Sequence, residues 1–144
     1  MHPKSLPIAD RKSCKVLVVD DDPDIRSLTR TFLEHEGYIV HSCGDADRAA
    51  QLFSRSPDID LLITDYSMPQ RTGLDLAHQL KLLHPSLYVL IISGVILSPA
   101  ELDQVRTQGW QFLPKPFSLP RLLAEVHTIL TPAPFKDRSA TLIA

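Results

Sequence analysis

The chain has 144 residues, 44 % hydrophobic and 22 % charged, with 15 basic against 17 acidic side chains and a formal net charge of −2. That length suits one globular domain, and the balanced, unclustered charge excludes the electrostatic footprint of a nucleic-acid binder. No apolar run approaches the roughly 20 residues needed to cross a bilayer, and residues 1–7 carry no hydrophobic leader core, so a cytoplasmic protein with no membrane partner is expected.

Residues 1–13 contain two prolines and mixed charge without periodicity, and are expected to form a flexible N-terminal arm. Lys15 to Val19 then reads as a buried strand that runs into Asp20-Asp21-Asp22-Pro23-Asp24. Pro23 suits a first helical position, Asp22 its N-cap and Asp24 the first turn. Capping therefore explains two of these aspartates and leaves Asp20 and Asp21 side by side at the carboxyl end of a strand. The following helix is expected to turn Ile25, Leu28, Phe32 and Leu33 to the core and to stop at Gly37. Tyr38 to Cys43 reads as the second strand. Asp45 is placed to cap a helix with Ala46, Ala49, Ala50 and Phe53 on its apolar face, ended before Pro57.

The third strand, Leu61 to Thr64, is a short apolar run with no polar alternation, as expected of a strand covered on both faces. It delivers Asp65, and Met68-Pro69 prevents a regular continuation. A helix presenting Leu76, Ala77, Leu80 and Leu83 follows Gly73 and ends before Pro85. The fourth strand, Tyr88 to Ile92, ends at Ser93-Gly94. Ser98-Pro99-Ala100-Glu101 matches a capping box with proline at the first helical position. The helix it opens is apolar at only Ala100, Leu102 and Val105, so it should be the least firmly anchored. Trp110 to Leu113 is a short fifth strand before Pro114-Lys115-Pro116-Phe117. A strongly amphipathic helix with Leu119, Leu122, Leu123, Val126, Ile129 and Leu130 closes the domain. The domain is thus placed at residues 14–131, with 132–144 as a C-terminal tail.

Five strands alternating with five helices imply right-handed crossovers and an α/β, doubly wound five-stranded parallel sheet. In strand order 2-1-3-4-5, strands one and three are neighbours, and Asp20, Asp21 and Asp65 converge at the sheet edge where such folds bind ligands. Three carboxylates at about 4–6 Å repel one another by a few kcal/mol at an effective dielectric near 20. A hard divalent cation compensates best, and Mg²⁺ with its oxygen ligands fits. Lys115 adds a single positive charge and Ser93 a small hydroxyl, both suited to phosphoryl oxygens. Together they would let Asp65 attack a phosphoryl donor. Cys14 and Cys43 fall at opposite ends of neighbouring strands, about 15–20 Å apart, so no disulfide is expected between them. The six histidines show no ligand-like spacing.

The Val-Val-Asp-Asp strand end, Asp65 with Met68-Pro69 and Gly73, Ser93-Gly94, Phe112, and Lys115-Pro116-Phe117 follow one another in the order and spacing of a known family. From Lys15 to Leu130 the chain resembles the response-regulator receiver domain of two-component signalling, which has a flavodoxin-like fold. The resemblance implies that Asp65 is phosphorylated by a sensor histidine kinase or phosphotransfer protein. It also implies that Asp21 and Asp65 bind Mg²⁺ directly, Asp20 largely through water, and Ser67 through its backbone carbonyl. Ser93 and Phe112 stand at the switch positions. Their movement would alter the face of the fourth helix, fifth strand and fifth helix, and so control the binding of a downstream protein target. A monomer, or a weak homodimer through that face, is expected. The resemblance further implies a cis Lys115–Pro116 peptide, and self-phosphorylation and self-dephosphorylation in place of enzymatic turnover. In the family, the residues two past the phosphoacceptor and two past the switch hydroxyl, here Ser67 and Val95, influence the hydrolytic water. Departures are mild: Arg71 at a position often apolar, Pro114 before the lysine, and Gly94 where Ala is common.

Asp20-x-Asp22 superficially suits an aspartyl phosphatase of the haloacid-dehalogenase type, but Asp24 and the lack of a later acidic pair speak against it. A flavin binder of the same architecture needs a hydroxyl- and glycine-rich phosphate loop, where this chain has three aspartates. The remaining alternative is a phosphorylation-independent protein-interaction module on the same fold. Such a module would normally have lost an acid, Ser93 or Lys115. Met1 and a tail ending at Ala144 lead to the expectation of a stand-alone receiver.

Overall fold

The alternation of strand side chains divides this chain between two cores. In a computed structural model, which describes residues 14–131, β1 (Lys15–Val19), β2 (Ile39–Cys43), β3 (Leu61–Asp65), β4 (Tyr88–Ser93) and β5 (Gln111–Pro114) form one parallel sheet in the order β2-β1-β3-β4-β5. The proposed arm and tail lie outside the described residues. Successive strand residues point to opposite faces. Leu17, Val19, Leu62, Val89 and Ile91 therefore pack with residues of α2 (Ala46–Arg55), α3 (Gly73–Leu83) and α4 (Pro99–Thr107). Val16, Val18, Leu61, Ile63, Leu90 and Ile92 pack with Leu33 of α1 (Pro23–His35) and with Leu122, Val126 and Leu130 of α5 (Leu119–Leu130). Every residue of β3 is buried, which is why that strand shows no polar alternation.

The helix starts follow the capping chemistry read from the sequence. Asp22 accepts the backbone N–H of Asp24 at 2.9 Å and of Ile25 at 3.3 Å. Asp45 accepts that of Arg48 at 2.8 Å, and Ser98 and Glu101 close a reciprocal box. Thr72 and Asp75 form a second capping box, at the start of α3. Cys14 and Cys43 are not joined by a disulfide.

Several expected core positions lie elsewhere. Thr29 and Leu33 make the buried face of α1, while Ile25 and Leu28 are 37 % and 56 % exposed. These two line a groove with Phe117 and Leu119 instead of entering the sheet core. Leu83 is 64 % exposed because α3 ends there, and Leu87 from the returning turn is fully buried in the same core. Ala100 is exposed, which leaves Val105 as the one buried residue of α4. Tyr38 and Trp110 are buried just ahead of β2 and β5, not within them. Trp110 packs against His78, with ring centroids 4.9 Å apart.

Candidate functional site

Four strand ends converge on one pocket. The pairing of Val19 with Thr64 sets the end of β1 beside the end of β3, so that Asp20 and Asp65 lie next to each other. One carboxylate oxygen from each of Asp20, Asp21 and Asp65 lies within 4.8 Å of the others. Asp20 and Asp65 are each only 7 % exposed, whereas Asp21 faces solvent. The backbone N–H of Asp22 donates to Asp20 Oδ1 at 2.9 Å, and Arg26 Nη1 donates to the Asp20 carbonyl at 2.7 Å. Arg26 was not apparent from the sequence, because nothing local in a helix marks an arginine that reaches back six residues.

Lys115 arrives from the opposite side. Its backbone N–H donates to the Ser93 carbonyl at 2.8 Å, continuing the β4–β5 ladder past Pro114. Pro114 is tolerated because β5 is an edge strand. The Lys115–Pro116 peptide is cis, as expected. Lys115 Nζ lies 3.0 Å from Asp65 Oδ1 and 3.2 Å from Oδ2.

The electrostatics follow from this packing. Burial raises the Asp65 carboxyl above its ordinary range, with Asp20 adding to the rise, and the hydrogen bond from Lys115 offsets only part of it. Burial likewise raises Asp20, against the pull of the Asp22 N–H. For Lys115 burial works against the charge, but the bond to Asp65 and the neighbouring acids outweigh it and the ammonium is held more firmly. A pair of carboxylates 4.8 Å apart repels by roughly 3 kcal/mol at an effective dielectric near 20. One lysine does not neutralise three such groups. The donor set is all oxygen and mostly anionic, and it fits a hard divalent cation of the Mg²⁺ class.

Ser93 is 2 % exposed at the end of β4. Its Oγ donates to the Val95 carbonyl at 2.9 Å and accepts the Val95 N–H at 3.0 Å, so the hydroxyl is engaged with its own loop and not with Asp65. Phe112 is half-buried and packs against the α2–α3–α4 core, as do Tyr66 and Met68. Ser67 is exposed, two residues beyond Asp65.

Gly73 fixes how closely α3 approaches the site. A Cβ there would lie 2.2 Å from the Asp65 carbonyl oxygen, and the Gly73 N–H donates to the Tyr66 carbonyl at 2.8 Å. Arg71, the departure in this loop, pairs with Asp47 at 3.5 Å and hydrogen-bonds Gln79, which ties the loop to α2 and α3. The Tyr66 hydroxyl donates to Glu101 in the first turn of α4. That bond raises the phenol and lowers the carboxyl. Tyr66 and Glu101 are 35 residues apart in the chain, and no spacing rule pairs them.

Comparison with known proteins gives a consistent picture. The family model described as response regulator receiver domain matches residues 16–127. Transcriptional regulatory protein CpxR of Escherichia coli K12 is 34 % identical over 119 residues, covering 81 % of this chain and 49 % of CpxR. Response regulator protein PilR of Pseudomonas aeruginosa is 34 % identical over 116 residues, covering 81 % of this chain and 26 % of PilR. The chain thus spans half or less of the length of these two curated relatives. Among solved structures, the chemotaxis protein CheY4 of Vibrio cholerae superposes with a TM-score of 0.72 at 26 % identity, covering 81 % of this chain and 98 % of that one.

Proposed function

The chain belongs to the response regulator receiver domain family of two-component systems, and on that premise we propose that it is a phosphoacceptor switch with Asp65 as the acceptor. The observation that carries this reading is Lys115 Nζ at 3.0 Å from Asp65 Oδ1, in a pocket that also gathers Asp20 and Asp21. A protein that merely capped its helices with aspartates would need neither the convergence nor the lysine.

In the proposed reaction an Asp65 oxygen attacks the phosphorus of a phosphohistidine on a partner protein. The P–N bond breaks, the imidazole leaves with the bonding pair, and an acyl phosphate remains on Asp65. Lys115 already sits where it can follow a phosphoryl oxygen, so its charge is in place before transfer. Mg²⁺, held by Asp20, Asp21 and Asp65 with the Ser67 carbonyl as a further ligand, would neutralise phosphoryl charge. Ser93 must release Val95 to donate its hydroxyl to a phosphoryl oxygen. With Ser93 and Phe112 as the switch pair, that release would alter the α4-β5-α5 face and the binding of a downstream protein.

The donor is a sensor histidine kinase or phosphotransfer protein. The apolar groove of Ile25, Leu28, Phe117 and Leu119 is its landing place, a reading supported by Lys115, the partner of Asp65, lining the same groove. The phosphoryl group ends on the chain's own side chain, so the protein is not an enzyme acting on a separate substrate. We place the protein in the cytoplasm on its family membership alone; among the described residues no helix is long and apolar enough to cross a membrane.

Incubation with acetyl phosphate and Mg²⁺, followed by intact mass, should add one phosphoryl group to the parent and none to Asp65→Asn. No adduct on the parent, or an equal adduct on the variant, would favour a phosphorylation-independent interaction module.

A further inference from the structure

A side-chain hydrogen bond joins the end of the acceptor strand directly to α4. Tyr66, the residue directly after Asp65, has its main chain held on both sides. Its N–H donates to the Ile92 carbonyl at 2.7 Å, and its carbonyl accepts the Gly73 N–H at 2.8 Å. The ring packs against the α2–α3–α4 core, and the hydroxyl donates to Glu101 Oε2. The other oxygen of Glu101 accepts the Ser98 N–H at 2.8 Å, and Glu101 N–H donates to Ser98 Oγ at 3.1 Å. One carboxylate thus closes the cap of α4 and also receives the phenol. Because α4 buries only Val105, a contact at its first turn is a large share of what holds it.

We propose that Tyr66 and Glu101 form a strap that fixes the first turn of α4 in the resting state and opposes the phosphorylated arrangement of the loop between β4 and α4. The antagonism rests on the phosphoacceptor reading; the strap itself does not. Ser93 Oγ is bonded twice to Val95, and turning it to a phosphoryl oxygen breaks both bonds. Residues 94–97 lead directly into Ser98, so reshaping them carries the cap and Glu101 along. Tyr66 does not follow, because its main chain is tied to β4 and to α3. A contact that favours one arrangement is weakened by a ligand that favours the other, and its removal tightens that ligand by the same factor.

Tyr66→Phe removes the hydroxyl and keeps the ring in the core. Amide hydrogen exchange over residues 99–107, without any phosphoryl mimic, should speed up by about fivefold, the size of one net hydrogen bond. Beryllofluoride with Mg²⁺, a mimic of the phosphoryl group on a carboxylate, should bind the variant more tightly by up to about fivefold, read from the Ser93 amide NMR shift. Glu101→Gln preserves the cap, and the double variant should then show less than the product of the two single effects. Unchanged exchange in Tyr66→Phe, or fully multiplicative effects, would overturn the strap. Faster exchange with unchanged or weaker beryllofluoride binding would overturn the antagonism. A parent that binds no beryllofluoride would overturn the phosphoacceptor reading and the antagonism together, while the exchange measurement still decides the strap.

Discussion

Asp20 and Asp65 give up most of their hydration when the chain folds, and burial holds both carboxyls above their ordinary range. A carboxyl whose folded pKa is raised contributes most to stability below its unfolded value, and that contribution is lost as pH rises through the folded value. At pH 7 without metal, Asp20→Asn should therefore stabilise the protein by on the order of 1 kcal/mol, a few degrees in Tm. The advantage should shrink as the pH falls toward about 4, the ordinary carboxylate range, because the parent's raised carboxyls take up protons before that range is reached. Thermal melts in chelator at the two pH values check both the sign and the trend. Cys43 shows the same physics in a thiol: burial pushes it up to about 11. Iodoacetamide at pH 8 should leave Cys43 unmodified in the native protein over a time that alkylates it in denaturant, with labelling rising as pH approaches that value. For the acyl phosphate, the side chain of Ser67 is short and that of Val95 cannot hydrogen-bond, so neither is suited to orient a hydrolytic water. Ser67→Asn with Val95→Glu should speed phosphate loss by roughly tenfold, about 1.4 kcal/mol in barrier. Decay after donor removal at constant Mg²⁺ measures it, and an unchanged rate would place water access elsewhere.

Among the elements, α3 approaches β3 closely at Gly73. A Cβ on Gly73 would lie 2.2 Å from the carbonyl oxygen of Asp65 and 3.0 Å from its carbon, both main-chain atoms that a side-chain rotation cannot clear. Gly73→Ala should cost at least about 2 kcal/mol in denaturant unfolding, and it should weaken phosphorylation because the displaced atoms belong to the acceptor. Gly94→Ala is the contrast. Its Cβ would meet only the Lys115 side chain, at 3.6 Å and 3.7 Å, an ordinary contact. That variant should stay within about 0.5 kcal/mol of the parent. If the two substitutions cost the same, the close approach of α3 is not what requires glycine at position 73.

In the whole molecule, two cores on opposite faces of one sheet leave the carboxyl ends of the strands free for chemistry. Burial of Phe53, Leu17 and Leu80 on one side and of Leu33, Leu122 and Val126 on the other keeps the sheet rigid beneath the acidic pocket. Phe53 is fully buried, and Phe53→Ala should cost about 3–5 kcal/mol, a loss visible in the denaturation midpoint. A cation that binds the folded pocket and not the unfolded chain stabilises the whole fold by mass action. Mg²⁺ should therefore raise the Tm of the parent, and raise that of Asp20→Asn by less at the same concentration. An equal rise in both would show that the cation binds elsewhere.

The sequence by itself determined the element order and which polar residues stand at the strand ends, through apolar runs of strand length and caps at helix starts. The strand order, on which the convergence of Asp20, Asp21, Asp65 and Lys115 depends, is at the level of sequence a condition that comes with the family resemblance, and the strand pairing bears it out. The tertiary structure alone decided the rest. An apolar face on a helix tells that it packs, but not what it packs against, so Ile25 and Leu28 line a groove while Thr29 enters the core. Helix length decided that Leu83 stays exposed and that Leu87 fills the core beside it. The reach of Arg26 to the Asp20 carbonyl and the turning of Ser93 Oγ to Val95 are short-range bonds set by how the chain folds at a strand end, whereas the bond from Tyr66 to Glu101 depends on the distance between elements 35 residues apart. Such distances are set by how the two cores close on the sheet, and no local pattern of residues encodes them.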